Sequence, residues 1–166
     1  RGFYEKAFGE LPPFMANEEM SGPKPQLHLM TYVNFAQTIR KMLNVFREKK
    51  VTGSMAFLQV NEDEDEMVRY REMLAKEQIR LSPIWNSDSS DGTFVTTSIE
   101  RIKGLEYDIC FIIGLEKVEN TKLNYNRNRA YVALSRPTQR LYMLCEHIPS
   151  LLYGISNDLY DIFDAR

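Results

Sequence analysis

Cysteine, histidine and tryptophan are scarce in this 166-residue chain, at two, two and one. The histidines, His28 and His147, stand far apart without cysteine or acidic companions at ligand spacing, so no metal site is expected and both read as structural side chains. Cys110 and Cys145 lie inside apolar stretches, the pattern of buried free thiols in a reducing compartment, and the expected location is cytoplasmic. No apolar run approaches the roughly 20 residues that cross a bilayer, so no membrane partner is expected. The opening RGFYEKAFGELPPF has scattered charges and no apolar h-region, which excludes a signal peptide. There is no initiator Met, and the expectation is a piece of a longer protein. Phosphate-binding signatures are missing as well. There is no G-x-x-x-x-G-K-[ST], no G-x-G-x-x-G and no G-x-S-x-G nucleophile elbow, and the eight glycines are scattered. Taken alone, the chain lacks a complete catalytic apparatus.

What is present is an ordinary globular composition, 43% hydrophobic and 27% charged, which excludes disordered and collagen-like classes and suffices for one domain with a real core. The net charge of −2 is unevenly spread: −2 over residues 1–97, +3 over 98–140 and −3 over 141–166. Between Asn120 and Arg140 stand five basic residues, Lys122, Arg127, Arg129, Arg136 and Arg140, and no acid. A phosphate-bearing partner would meet the chain there.

Residues 1–25 read as a linker or irregular segment, because Pro12-Pro13 and Pro23-Lys24-Pro25 remove backbone donors and restrict their neighbours. Residues 26–166 form the domain. Gln26 to Val33 alternates like a strand. Asn34 reads as an N-cap, after which Phe35, Ile39, Met42, Leu43 and Phe46 recur at helical spacing. Ser54 to Val60 is a continuous apolar strand. Asn61 caps a second helix, with Met67, Tyr70, Met73 and Leu74 as its buried stripe. The acids Glu62 to Glu66 invite a metal reading, but five acids at a helix start are more simply a solvated face favoured by the helix dipole. Leu81 to Gly92 reads as loop, Thr93 to Thr97 and Tyr107 to Leu115 as strands, Asn126 to Ser135 as a helix and Arg140 to Cys145 as the last strand. Leu151, Leu152, Ile155, Leu159 and Ile162 recur at helical intervals in the tail. Apolar strands alternating with amphipathic helices predict an α/β fold, a parallel sheet with helices on both faces. Ligands in such folds sit beyond the carboxyl ends of the strands.

Two segments carry the chemistry. The first is TSIERIKGLEYD (residues 97–108), in which Lys103, Gly104 and Glu106 join a cation, a permissive backbone and a carboxylate at the carboxyl end of a strand. The second is RAYVALSRP (129–137), in which Arg136 ends a helix against Pro137. An arginine aimed from a helix end suits phosphate, because it stays charged and binds as a fork.

Together, "TSIERIKGLEYDICFIIGL" and "RAYVALSRPTQRLYML" resemble motifs V and VI of superfamily 1 DNA helicases of the UvrD/Rep/RecB type. The resemblance implies the C-terminal RecA-like domain (2A) of such an enzyme, a P-loop NTPase-like domain without its P-loop. The family patterns run roughly T-x-H-x-x-K-G-L-E-[FY]-D and Y-V-A-[LI]-[TS]-R-[AP], and the match is dense from about residue 93 to 145. By this resemblance Arg136 is the catalytic arginine finger that reaches the γ-phosphate of ATP, a group whose relatives contribute about 10³ to 10⁵ in rate. Glu106, with Gly104 beside it, is the glutamate near the nucleotide ribose. Ser98, Glu100 and Lys103 occupy positions that face DNA, with Arg127 and Arg129 as supporting cations. Glu100 stands where the pattern has histidine. The aromatic and arginine of motif IV are absent from the end of the second strand, where Gln59 is a polar substitute toward the nucleotide.

The resemblance also implies partners. ATP and Mg²⁺ would be held mainly by an N-terminal RecA-like domain of the same parent chain, which supplies the P-loop and Walker-B carboxylate. Single-stranded or partly duplex DNA would be the track, with 3′-to-5′ polarity, and the isolated domain would not hydrolyse ATP. An ATP-driven nucleic-acid or RNA-polymerase remodelling factor with degenerate motifs is one alternative. A non-catalytic nucleic-acid-binding module using residues 122–140 is another.

Overall fold

The computed structural model describes residues 24–51, 53–60, 64–83, 93–97, 107–117, 137–153, 156 and 158–166. Among the described residues seven strands form one sheet: β1 (Gln26–Leu29), β2 (Met55–Gln59), β3 (Arg80–Pro83), β4 (Thr93–Thr97), β5 (Tyr107–Ile113), β6 (Pro137–Cys145) and β7 (Asp161–Asp164). Their order is β3-β4-β2-β5-β6-β1-β7, and every pairing is parallel. Helices α1 (Phe35–Glu48) and α2 (Glu64–Lys76) follow β1 and β2.

The topology explains where the helices lie. From β1 to β2 and from β2 to β3 the chain moves the same way along the sheet, and right-handed crossovers put both connections on one face. Accordingly Phe35, Ile39 and Phe46 of α1 and Leu74 of α2 pack with Phe57, Phe111 and Tyr142. The β6-to-β7 connection moves the opposite way, and its Leu151, Leu152 and Tyr160 pack on the opposite face with Leu58, Ile112 and Met143. Both described α-helices are thus on one face, while the other face is equally buried. Central β5 is sealed on both sides, with Ile109 to Ile113 at most 2% exposed. Each large apolar side chain so buried contributes about 1.5–3 kcal/mol, so the two apolar faces hold the sheet together. Cys110 and Cys145 are both buried, and neither is in a disulfide. Among the described residues, no helix is long and apolar enough to cross a membrane.

The edges of the sheet depart from the sequence reading. The tail is not a helix. Leu151 and Leu152 lie in a 3-10 turn at Ser150–Leu152 and Ile162 in strand β7, Leu159 is in a bend before that strand, and Ile155 lies outside the described residues. Tyr153 is extended (φ −63°, ψ 130°) and stops the turn, while β1 has a free edge that β7 satisfies. At the other edge, the expected loop from Leu81 begins instead within β3, which pairs with β4 and ends on Pro83, a residue tolerated at a sheet edge. Asn34 precedes α1 as expected, but its side chain makes no capping bond. Its amide donates to the Ala165 carbonyl at 2.8 Å and ties the helix start to the residue that follows β7. Residues 1–23 lie outside the described residues, although the Pro25 carbonyl already accepts from the Asp161 N–H at 3.0 Å.

Candidate functional site

Of the sequence-derived candidates, Gln59 is the one among the described residues. Ser98, Glu100, Lys103, Gly104, Glu106, Arg127, Arg129 and Arg136 lie outside them. Gln59 ends β2, opposite Ile113 of β5, and is 5% exposed. Among the described residues its Nε2 has no hydrogen-bond partner. A buried amide donor left unpaired costs about 1–3 kcal/mol, so this position is not explained by packing alone.

The flanks of both motifs are described. β4 ends at Thr97, beside Leu58 at the carboxyl edge of the sheet, and β5 opens at Tyr107 on the amino edge. The quartet from Lys103 to Glu106, expected at the carboxyl end of a strand, lies outside the described residues, and Tyr107, the next residue in the chain, opens β5. Tyr107 pairs with Pro137, the first residue of β6. The residues that follow Glu106 and Arg136 in the chain are therefore register partners, despite thirty positions between them.

The amino edge carries a further arrangement that sequence reasoning missed. The Ser54 N–H donates to Asp108 Oδ2 at 3.0 Å, and the Asp108 N–H donates to Ser54 Oγ at 3.1 Å. Just beyond it, the guanidinium of Arg140 lies 5.9 Å over the Phe46 ring and donates to the Tyr142 hydroxyl at 3.4 Å. One of the five cations of the basic stretch is thus engaged with the helical face.

At the carboxyl edge, β6 and β1 are neighbours whose following chains leave to opposite faces, which opens a crevice. A cleft of about 390 Å³ lies there, between Tyr32, Tyr70, Glu66, Lys117, Glu116 and Cys145. Glu66 was expected on a solvated helix face but is 7% exposed. It accepts from Lys117 Nζ at 2.5 Å and from the Tyr70 hydroxyl at 2.8 Å, joining α2 to the turn after β5. Burial, then the bond to Glu66 and the nearby carboxylates, push the Tyr70 phenol far above its usual range. Burial likewise raises Glu116, opposed by the Cys145 thiol and the Glu146 N–H. The Cys145 thiol is raised well above its ordinary value by burial and by the Glu116 charge, so it stays protonated and unreactive. The i,i+4 spacing of Glu66 and Tyr70 was a legible signal, whereas Lys117, fifty-one residues further on, carried none.

No family model matches the chain, and no curated protein matches it. Among solved structures it is similar to the C-terminal domain of a possible DNA helicase from Lactobacillus plantarum WCFS1. The identity is 16% over 86% of each chain, with a TM-score of 0.69. At that identity the likeness is one of fold. The chain is an α/β domain of RecA-like architecture.

Proposed function

We propose that this chain is the C-terminal motor domain of an ATP-dependent superfamily 1 DNA helicase of the UvrD/Rep/RecB type. The observation that carries the reading is the Tyr107–Pro137 register. It joins the two motif-bearing segments at one edge of the sheet, with Glu106 and Arg136 as the preceding residues. In this reading Arg136 reaches the γ-phosphate of ATP held by an N-terminal RecA-like domain of the parent chain. Glu106 and Gly104 meet the ribose side of the nucleotide. Ser98, Glu100 and Lys103, with Arg127 and Arg129, face single-stranded DNA. The fold shared with the domain of a possible DNA helicase supports the architecture this requires.

ATP hydrolysis needs Mg²⁺ on the phosphates, which neutralises charge as it develops. Among the described residues no group of three or more His, Cys, Asp or Glu side chains could hold a metal ion. No residue of this chain is assigned to Mg²⁺, and the proposal gives that task to the N-terminal domain. The buried, unpartnered Gln59 amide favours a second reading. A polar substitute for the motif IV pair is what a remodelling factor with degenerate motifs would carry.

The test is steady-state ATPase of the full parent chain with and without single-stranded DNA, wild type beside Arg136→Ala. A DNA-stimulated rate that falls by about 10²-fold or more in the variant, with nucleotide still bound, is the expected result. Equal rates overturn the motor reading. A wild-type ATPase without strand separation selects the remodelling reading.

A further inference from the structure

We propose that Asp108 is a positioning residue for this ATP site. Its carboxylate clamps the start of β2 to the start of β5, opposite a bulge in β6, and that clamp sets the aim of Glu106 and Arg136. The proposal rests on the functional reading above and concerns a residue to which motif matching gave no role.

The clamp is built from three bonds on one serine. Ser54 donates its N–H to Asp108 Oδ2 at 3.0 Å, its Oγ accepts from the Asp108 N–H at 3.1 Å, and its carbonyl accepts from the Ile109 N–H at 2.9 Å. The neighbouring residue makes room for it. Gly53 has φ +148°, and a Cβ there would lie 2.7 Å from Asp108 Cβ and 2.8 Å from Oδ2. The carboxylate occupies the space that a side chain at position 53 would fill.

The clamped residue lies at the irregularity of the β5–β6 ladder. Tyr107 faces Pro137 while Ile109 faces Arg140, so two steps along β5 oppose three along β6. From Ile109 to Ile113 the register with both β2 and β6 is regular. A bulge bends its strand and re-aims the side chains around it. Here it adjoins the two points where Glu106 leads into β5 and Arg136 leads into β6. A bulge left untied could relax toward regular pairing. Asp108 ties β5, the strand that faces the bulge, to β2, which is anchored in the core by Ala56, Phe57 and Leu58, all fully buried. An arginine finger acts in the transition state, so displacing it by about 1 Å costs up to about 10²-fold in rate.

The experiment uses the full parent chain with single-stranded DNA at saturation and compares Asp108→Ala, Gly53→Ala and Asp108→Asn with wild type and Arg136→Ala. Asp108→Ala and Gly53→Ala are expected to lower kcat by about 10- to 10²-fold while the KM for ATP stays within about threefold. Asp108→Asn, whose amide oxygen still accepts from the Ser54 N–H, is expected to return kcat to within about threefold of wild type. Wild-type kcat per folded molecule in Asp108→Ala, whatever its melting temperature, overturns the proposal and leaves the clamp a purely structural device. Should those two variants fail to fold, Asp108→Val carries the same test, since it removes the carboxylate that accepts from the Ser54 N–H and still fills its space in a strand. An unchanged kcat there overturns the proposal, and a loss at constant KM supports it. If Arg136→Ala itself retains full rate, the functional reading has failed. If Arg136→Ala is inactive and Asp108→Ala is not, only the clamp has.

Discussion

Lys117→Met tests the electrostatics of the carboxyl-edge cleft. The lysine ammonium stands 2.5 Å from Glu66 Oε1, and the two side chains are 47% and 9% exposed. Breaking a fully buried pair by removing one partner costs about 3–5 kcal/mol, because a buried charge loses its counter-charge. Breaking an exposed pair costs about 0–1 kcal/mol. This pair lies between those limits, since Glu66 is buried while the lysine is half in water. The Tyr70 hydroxyl, still donating at 2.8 Å, softens the loss. The expected cost is about 2 kcal/mol, read as a lower urea midpoint at unchanged m-value. Glu66→Gln with Lys117→Met removes both charges, and the double variant should recover about 1 kcal/mol over the sum of the single effects. A loss below about 0.5 kcal/mol in Lys117→Met, or additive single effects, would refute the reasoning.

Two further outcomes follow from buried polar groups. Gln59→Leu removes the unpartnered Nε2, so stability should stay level or rise by about 1 kcal/mol, whereas a loss of more than about 1 kcal/mol would show that the amide is satisfied. In the helicase proposed above, the same change should raise the KM for ATP if Gln59 meets nucleotide, and an unchanged KM removes it from the site. His28 is stacked 4.8 Å from Phe163, and burial lowers its pKa from 6.5 to about 4. The unfolded chain therefore takes up the proton first. The histidine's contribution is full above pH 6.5, falls as the pH drops toward about 4 and is flat below that. Urea midpoints of wild type and His28→Leu should converge, or cross, as the pH falls through that window. A constant difference between them would show that His28 is not the group responsible.

The strands that read clearly from the chain are those buried on both faces. SMAFLQV and YDICFIIGL are continuous apolar runs because β2 and β5 are covered on both sides, and the pattern needs no tertiary information. Helix α1 was equally legible, since its buried residues repeat at helical spacing along one stripe. The edge strands were not. β3 and β7 are four residues each and exist because β4 and β1 offer them unpaired backbone, a cause that lies in other parts of the chain. The acid run at the start of α2 looked uniform in sequence, yet Glu66 turns inward to meet a lysine fifty-one residues away.

The site divides in the same way. Local order alone marked the two motif segments and their residue types, because close spacing of lysine, glycine, glutamate and arginine is a property of short stretches of chain. Only the folded sheet decided that Tyr107 and Pro137 become partners, that Ser54 and Asp108 close on each other, and that Gly53 must lack a side chain. Those facts depend on which strands lie side by side. Strand order follows from crossover handedness and the burial of two apolar faces, which no single segment encodes.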